Sequence, residues 1–308
     1  MGHIFGPVPS RRLGRSLGVD LVPFKTCSYD CIYCQLGRTT SKTIERREWV
    51  VLDEVLEELK DKLATKPDYI TLSGSGEPTL YSRLDELIDG IRSMTDIPIA
   101  ALTNGSLLWQ KDVRRQLRDA HLVVPSLDAG HNGVFQAVNR PHEDITFEKM
   151  LDGLISFRRE YQGEYWLEVF VLAGYTAVDN EIAQMVECVK RIKPDRVQLN
   201  TVTRPAAEDY AIMVDPARMN EIAKRFDPEA QVIADYHGVH AQTDFQAGRE
   251  SVLEMIQRRP CSLEDIANGL NMHRNEVIKY ITEIEASGVL TKQSSAGRFY
   301  YSTKHEIA

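Results

Sequence analysis
The sequence lacks any long apolar run. None approaches the roughly 18 residues needed to cross a bilayer, so no membrane role is expected. Its opening residues, MGHIFGPVPSRRLG, have no apolar centre of the kind a secretory leader needs, and no tract is of low complexity. Cysteine is sparse, with five in 308 residues. Together these absences point to the cytoplasm, a reducing compartment where the thiols need not pair as disulfides. Strong basicity is missing too: 37 Lys and Arg stand against 45 Asp and Glu, a net charge of −8. The charge is uneven, however. Residues 1–47 hold eight basic residues against three acids, whereas residues 249–308 hold eight of each sign. The electropositive field therefore gathers in the N-terminal segment and not in the tail.

What is present, from residue 14 to about 236, is an alternation of strand-like and helix-like stretches. Gly18–Phe24, Tyr69–Ser73, Ile97–Thr103, Leu122–Leu127, Tyr165–Leu172 and Arg196–Thr201 are the strand candidates. Between them VLDEVLEELKDKL, LDELIDGIRSM, DVRRQLRDA, FEKMLDGLISFRREY and NEIAQMVECVKRI carry apolar residues at helical spacing. Pro67, Pro98 and Pro194 each fall between a helix and the next strand, where a break belongs. Such alternation predicts an α/β fold with a mostly parallel sheet. Six units are too few for a closed eight-stranded barrel, so an open, TIM-like partial (β/α)6 barrel is expected, with function at the C-terminal strand ends. After about residue 246, SVLEMIQRR, SLEDIANGL and HRNEVIKYITEIEAS read as three helices and LTKQSSAGRFYYST as a hairpin. That pattern predicts a small C-terminal winged helix-turn-helix domain over 246–308, following a barrel domain over 1–240, with a boundary near Ala241–Gly248.

KTCSYDCIYCQ places Cys27, Cys31 and Cys34 in a C-x3-C-x2-C spacing straight after a strand. Three thiolates and one open position suit a [4Fe–4S] cluster, because Cys is the preferred ligand of such clusters. Zinc completed by a distant His3 or His142 is the alternative. The spacing, with Tyr33 before the third Cys, resembles the radical S-adenosylmethionine (radical SAM) enzymes. That resemblance implies that Cys27, Cys31 and Cys34 hold the cluster and that the amino and carboxylate groups of SAM chelate the open iron. It also implies one-electron cleavage of SAM to a 5′-deoxyadenosyl radical that abstracts hydrogen from a substrate, and an electron donor of flavodoxin or ferredoxin type. After the second strand, Ser75-Gly76-Glu77-Pro78 resembles the family's Gly-Gly-Glu-Pro turn, which binds the methionyl amine; Ser75 replaces the first glycine. Glu77 is the expected acceptor for an ammonium group.

Further polar residues fall at the other strand ends. Asn104, Ser126, Asp128 and Asn200 are expected to meet the ribose and carboxylate of SAM, with Asn104 and Asp128 equally suited to helix capping. Glu168–Gly174 is expected to pack on the adenine. Arg11, Arg12 and Arg15, in a proline-stiffened segment, are suited to phosphate or carboxylate and are expected at the substrate entrance. Arg140 and His142 are expected either to face a substrate or to pair at the surface. Cys188 reads as a core residue and Cys261 as the opening of the second C-terminal helix; His237 and His240 read as turn or packing residues. GPVPSRRLGRSLGVDL and CQLG look most like the Fe–S oxidoreductases grouped with wyosine-type tRNA base modification, which makes RNA or a peptide the expected substrate class. The C-terminal domain, with zero net charge, is expected to contact protein or nucleic acid, protein being favoured. An iron–sulfur redox sensor regulating transcription through the winged helix is the alternative function.

Overall fold
The computed structural model describes residues 2–234, 248–270, 272–295 and 297–303. His237, His240 and nearly all of the expected domain boundary lie outside the described residues. Strands β1 (Ile4–Ser10) and β2 (Gly14–Val19) form an antiparallel hairpin. The short paired segments β3 (Thr26–Cys27) and β4 (Ser41–Lys42) follow. The chain then alternates through α1 (Leu52–Lys62), β5 (Tyr69–Leu72), α2 (Leu84–Met94), β6 (Ile99–Thr103), α3 (Lys111–Leu117) and β7 (Leu122–Pro125). It continues through α4 (Asn132–Val138), α5 (Phe147–Glu160), β8 (Glu164–Phe170), α6 (Asp179–Ile192), β9 (Arg196–Asn200), α7 (Pro216–Ala223) and β10 (Gln231–Val232). The sheet runs β1-β2-β5-β6-β7-β8-β9-β10, and every pairing from β2 onward is parallel. This is a mixed α/β fold on a parallel sheet, consistent with a partial barrel.

Alternation along each strand sorts the two faces. Leu17, Val19, Ile70, Leu72, Val123 and Leu199 turn outward into one core with the helices, joined by Val55, Leu87, Ile91, Leu154 and Met185. Leu13, Ala100, Leu122, Val124 and Trp166 form a second, small cluster on the other face. Leu122 and Ala100 sit at strand starts, so this cluster fills the N-terminal end of the inner face and leaves the C-terminal end for polar groups. The helices are terminated by ordinary chemistry. Thr146 caps α5 by accepting from the Lys149 N–H at 3.2 Å, and Asp215 caps α7 ahead of Pro216.

Several boundaries differ from the sequence expectation. The first parallel strand spans Gly14–Val19 and not Gly18–Phe24. Its start was hidden because Arg15 and Ser16 are polar, and its end is set where Asp20 turns to bond the 73–78 loop and Pro23 has no N–H to give. Ile4–Ser10 is an edge strand with a register shift between Phe5 and Val8, the one kind of strand that tolerates its prolines. Among the described residues no helix is long and apolar enough to cross a membrane.

Beyond the sheet lie α8 (Arg249–Arg258), α9 (Leu263–Leu270), α10 (Arg274–Ala286) and the hairpin β11 (Leu290–Ser295) with β12 (Arg298–Thr303). They share their own core of Val252, Met255, Ile256, Ile266, Val277, Ile281, Ile284 and Tyr301. Cys261 is buried in that core two residues before α9, paired across to Tyr301 and not opening the helix. Ser262 and Asp265 cap α9 reciprocally, at 3.0 and 3.1 Å. Contacts fasten this unit to the sheet: Arg258 pairs with Asp20 at 2.5 Å, and the Tyr300 hydroxyl donates to the Thr203 carbonyl at 3.2 Å.

Candidate functional site
The loop after β2 is held from both sides. The β3–β4 pairing closes its ends, with the Thr43 N–H on the Cys27 carbonyl at 3.0 Å. The end of α4 and the segment after it grip its middle: Ile32 N–H donates to the Val138 carbonyl at 2.9 Å, and His142 N–H to the Ser28 carbonyl at 2.9 Å. Cys27, Cys31 and Cys34 are free thiols here, each partly buried. Each sulfur faces an N–H donor from a different part of the chain. Lys25 Nζ lies 3.2 Å from Cys34 Sγ, Asn104 Nδ2 3.6 Å from Cys27 Sγ, and Asn139 Nδ2 3.6 Å from Cys31 Sγ. Burial, then the Glu77 charge, pushes the Cys27 thiol up to about 12; burial and then Asp128 push Cys31 well above its usual range. Among the described residues no three His, Cys, Asp or Glu side chains, the three thiols included, converge as the ligands of a single metal ion would; the thiolates of a [4Fe–4S] cluster bind separate irons and stand further apart.

The Ser75–Pro78 turn packs against this loop. A Cβ on Gly76 would lie 1.8 Å from the Thr26 carbonyl oxygen, so only glycine permits the two backbones to approach this closely. Glu77 is buried, and its Oε1 accepts from the Thr79 N–H at 3.0 Å, the Thr79 hydroxyl at 2.5 Å and the Thr103 hydroxyl at 2.6 Å. Its Oε2 accepts from the Asn104 N–H at 2.7 Å. The carboxylate thus ties the 77–79 turn to the end of β6, and only Oε2 keeps a lone pair for another donor. Burial raises its pKa against the lowering effect of these bonds. Ser75 donates to Asp20 through both N–H and hydroxyl, at 2.9 and 2.5 Å, and Pro78 is buried at the start of a short 3-10 turn.

Asn104 caps no helix; it donates to Ser28 Oγ at 2.9 Å as well as to Cys27, which anchors the cysteine loop. Asp128 is buried and accepts from the Tyr33 hydroxyl, from Asn139 Nδ2 at 2.7 Å and from the Phe170 N–H at 3.1 Å. Burial pushes its carboxyl up to about 6 despite these donors. The cap of α4 is His131 instead. Tyr33 stacks on Phe170 with centroids 3.9 Å apart. Ser126 meets Glu168 through a backbone bridge. Asn200 belongs to a second polar group: its Oδ1 accepts from Arg11 at 3.0 Å, and its Nδ2 faces Glu168 at 3.4 Å. Arg12 pairs with Glu168. Burial alone would raise the Glu168 carboxyl, but Arg12 beside it holds it below its ordinary range.

Arg140 and His142 turn outward. Arg140 pairs with Glu208 at 2.6 Å, and His142 lies 3.6 Å from Asp144. Arg15 bonds the Thr65 and Lys66 carbonyls. Cys188 is buried on α6. Sequence reading missed Lys25, Ser28 and Asn139. Lys25 carried a signal, a cation two residues before the first thiol; Asn139 stands 108 residues from its sulfur and only the fold brings it there.

A sheet with a thiol-bearing loop at its C-terminal rim defines a class that comparison makes specific. A profile described as the Radical SAM superfamily matches residues 21–189, just over half of the sequence. The chain belongs to the radical SAM superfamily, and it is therefore an enzyme of a family that uses a [4Fe–4S] cluster and SAM and needs an electron donor and a substrate. It is 40% identical over 224 residues to a UPF0026 protein of Methanocaldococcus jannaschii, covering 71% of this chain and 68% of that one. It is 39% identical over 304 residues to a protein of Brachyspira hyodysenteriae named GTPase Obg, covering 97% of this chain. The chain spans about half the length of that relative, 45% of it. A radical SAM methyltransferase from Sphaerobacter thermophilus shares the fold, with a TM-score of 0.53 at 15% identity over 73% of this chain and 67% of that one.

Proposed function
We propose that Cys27, Cys31 and Cys34 hold the [4Fe–4S] cluster and that SAM seats against the rim formed by Ser75–Pro78, Tyr33, Asn104, Ser126, Asp128 and Asn200. The single observation that carries this reading is the set of three thiols, each with its own N–H donor. Burial, and after it the nearby acids, raise the pKa values of Cys27 and Cys31 and disfavour their free thiolates; coordination to a cationic centre reverses that balance, and N–H donors to sulfur tune such centres. When bound, the reduced cluster and SAM supply one-electron cleavage of SAM and hydrogen abstraction from a substrate. The chain's own residues position and shield. Lys25, Asn104 and Asn139 donate to sulfur, Glu77 fixes the turn that braces the loop, and Asp128 orients Tyr33 and Asn139. Oε2 of Glu77, not Oε1, is the atom left to accept from the ammonium of SAM.

We read the three helices and hairpin of the C-terminal unit as a winged helix, with the domain division at 240–246. On the resemblance of GPVPSRRLGRSLGVDL the chain stands beside the wyosine-type branch, with RNA or a peptide as substrate and a flavodoxin- or ferredoxin-type donor. The regulator alternative gains nothing from the comparisons. Anaerobic reconstitution followed by reduction with SAM tests the reading. The wild type is expected to bind about four irons and release 5′-deoxyadenosine, and Cys31→Ala to lose both. Intact SAM after reduction of a fully loaded chain would sink it.

A further inference from the structure
The C-terminal unit is tied to the sheet beside the cysteine loop, and one of the ties can be followed bond by bond. Arg258, at the end of α8, sets its guanidinium 4.4 Å from the centre of the Phe5 ring. Its two terminal nitrogens donate to the Asp20 carboxylate at 2.5 Å and to the Gly2 carbonyl at 3.0 Å. Asp20 is buried and accepts twice from Ser75, from its N–H at 2.9 Å and from its hydroxyl at 2.5 Å. The Ser75 carbonyl in turn accepts from the Lys25 N–H at 2.8 Å. Lys25 is buried as well, and its ammonium stands 3.2 Å from Cys34 Sγ. An unbroken path of polar contacts thus runs from α8 to a thiol of the loop. Lys25 is also where this path can give. Its φ of 60° lies in the left-handed region, which a residue with a Cβ holds only where its surroundings impose it. Here they do so from both sides: Ser75 takes its N–H, while the Thr40 and Ser41 N–H groups donate to its carbonyl at 3.2 and 3.1 Å. The first of these holds depends on the turn that Asp20 fixes.

We propose that Arg258 is a positioning residue for the cluster: through Asp20 and Ser75 it holds Lys25 in its left-handed conformation and so keeps the ammonium on Cys34. The proposal rests on residues 27–34 being the cluster loop. Nearby charge and hydrogen bonds to sulfur set the potential of an iron–sulfur centre, so the ammonium favours the reduced state, which carries one more negative charge. Without Arg258, Asp20 is a buried carboxylate that has lost its cation, and it must turn toward water or find another donor. Either movement takes the Ser75 turn with it. A partner that drew α8 off the sheet would have the same effect and make the cluster harder to reduce.

Two measurements on the full chain test the path. In the anaerobically reconstituted chain, the ratio of reduced to oxidised cluster is read by electron paramagnetic resonance at one fixed potential. In the metal-free chain, hydrogen exchange is read at the Lys25 and Ser75 amides. Lys25→Met and Arg258→Gln are each expected to lower the ratio at least about three-fold, and the double variant no further than Lys25→Met alone. Arg258→Gln is expected to speed exchange at both amides at least about ten-fold. Glu254→Gln is the control, because it breaks a different tie of α8, the 3.4 Å pair with Lys62 of α1, and leaves the path intact; it is expected to match wild type in both measurements. An unchanged ratio or unchanged exchange in Arg258→Gln, additive effects in the double variant, or a Glu254→Gln chain that behaves like Arg258→Gln would overturn the proposal. Should Arg258→Gln lose its cooperative melting transition, Asp20→Asn, which keeps an acceptor for Ser75 and gives up the ion pair, carries the comparison. A wild type that takes up no iron refutes the cluster reading and with it the redox role, while the exchange rates still show whether Arg258 holds Lys25. A loaded wild type with an unmoved Arg258→Gln refutes the positioning role alone.

Discussion

Replacing Gly76 by alanine sets a methyl group 1.8 Å from the Thr26 carbonyl oxygen, 2.8 Å from its carbon and 2.9 Å from Val22 Cγ2. A carbon–oxygen contact settles at about 3.3 Å or more, so one backbone must retreat by about 1.5 Å. The same Thr26 oxygen accepts from the Glu77 N–H at 3.2 Å, and that bond is lost in the retreat. Overpacking costs about 1–3 kcal/mol and the hydrogen bond about 1 kcal/mol, which gives roughly 2–4 kcal/mol if the fold absorbs the strain. If the cysteine loop moves instead, the strain reaches Cys27, next in the chain, and appears as lost iron. Differential scanning fluorimetry of the metal-free chain and iron analysis after reconstitution read both routes. Gly248→Ala is the control, because no atom of the described residues lies within 4 Å of its added Cβ; it is expected within about 0.5 kcal/mol of wild type. A Gly76→Ala chain that melts with wild type and keeps its full iron would refute the close-approach argument.

Glu77→Gln leaves one oxygen to serve donors that now bond both carboxylate oxygens, and turns an amide N–H2 toward another donor. Denaturant titration is expected to show a loss of about 2–3 kcal/mol; a loss below about 0.5 kcal/mol would show that the brace is not needed. Glu168, held below its ordinary 4.5 by Arg12 against the effect of burial, stabilises the fold above pH 4.5, and that contribution fades as pH falls through its lowered folded value. Glu168→Gln is therefore expected to cost about 3 kcal/mol at pH 7, with the deficit shrinking in stability measurements below about pH 4; a deficit independent of pH would contradict the ion-pair account. Burial raises the pKa of Cys188 and of Cys261, so iodoacetamide followed by peptide mapping is expected to label both only after unfolding. Rapid native labelling of either would mean that the core around it opens readily.

The helices were legible wherever one apolar face recurs. In α2, Leu84, Leu87, Ile88 and Ile91 are all buried and mark its turns. Short elements were not. Asn132–Val138 opens with Asn and Gly and reads as a loop, although His131 caps it and Phe135 and Val138 fill the core. Asp215-Pro216, a capping signal for α7, passed unread. The cysteine loop was legible because its thiols stand within eight residues of one another. The partners of the thiols were not, since Asn104 lies 77 residues from Cys27 and owes its place to the parallel pairing of β5 and β6. Glu77 was legible as a candidate binding carboxylate from its motif; its second part as a brace was not, because the Thr79, Thr103 and Asn104 donors are gathered round it only by burial in the fold.

The positive charge of the first 47 residues shows how a charge count and a charge field part company. Arg46 spends its guanidinium on the Thr79 and Tyr81 carbonyls at 2.8 and 3.0 Å. Arg15 is taken by backbone oxygens, and Arg38 by Glu208. Arg11 is held by Asn200 and the Ile233 carbonyl and Arg12 by Glu168, and both line a cavity inside the sheet and not an outer face. A duplex binder needs cations spread along a surface at the spacing of phosphates. Here the hairpin turn folds its cations inward, and α8 brings two more to meet them. The neutral balance of residues 249–308 fits the same picture: at the end of α8, Arg258 is spent on Asp20 and the Gly2 carbonyl, inside the fold and not on a basic face.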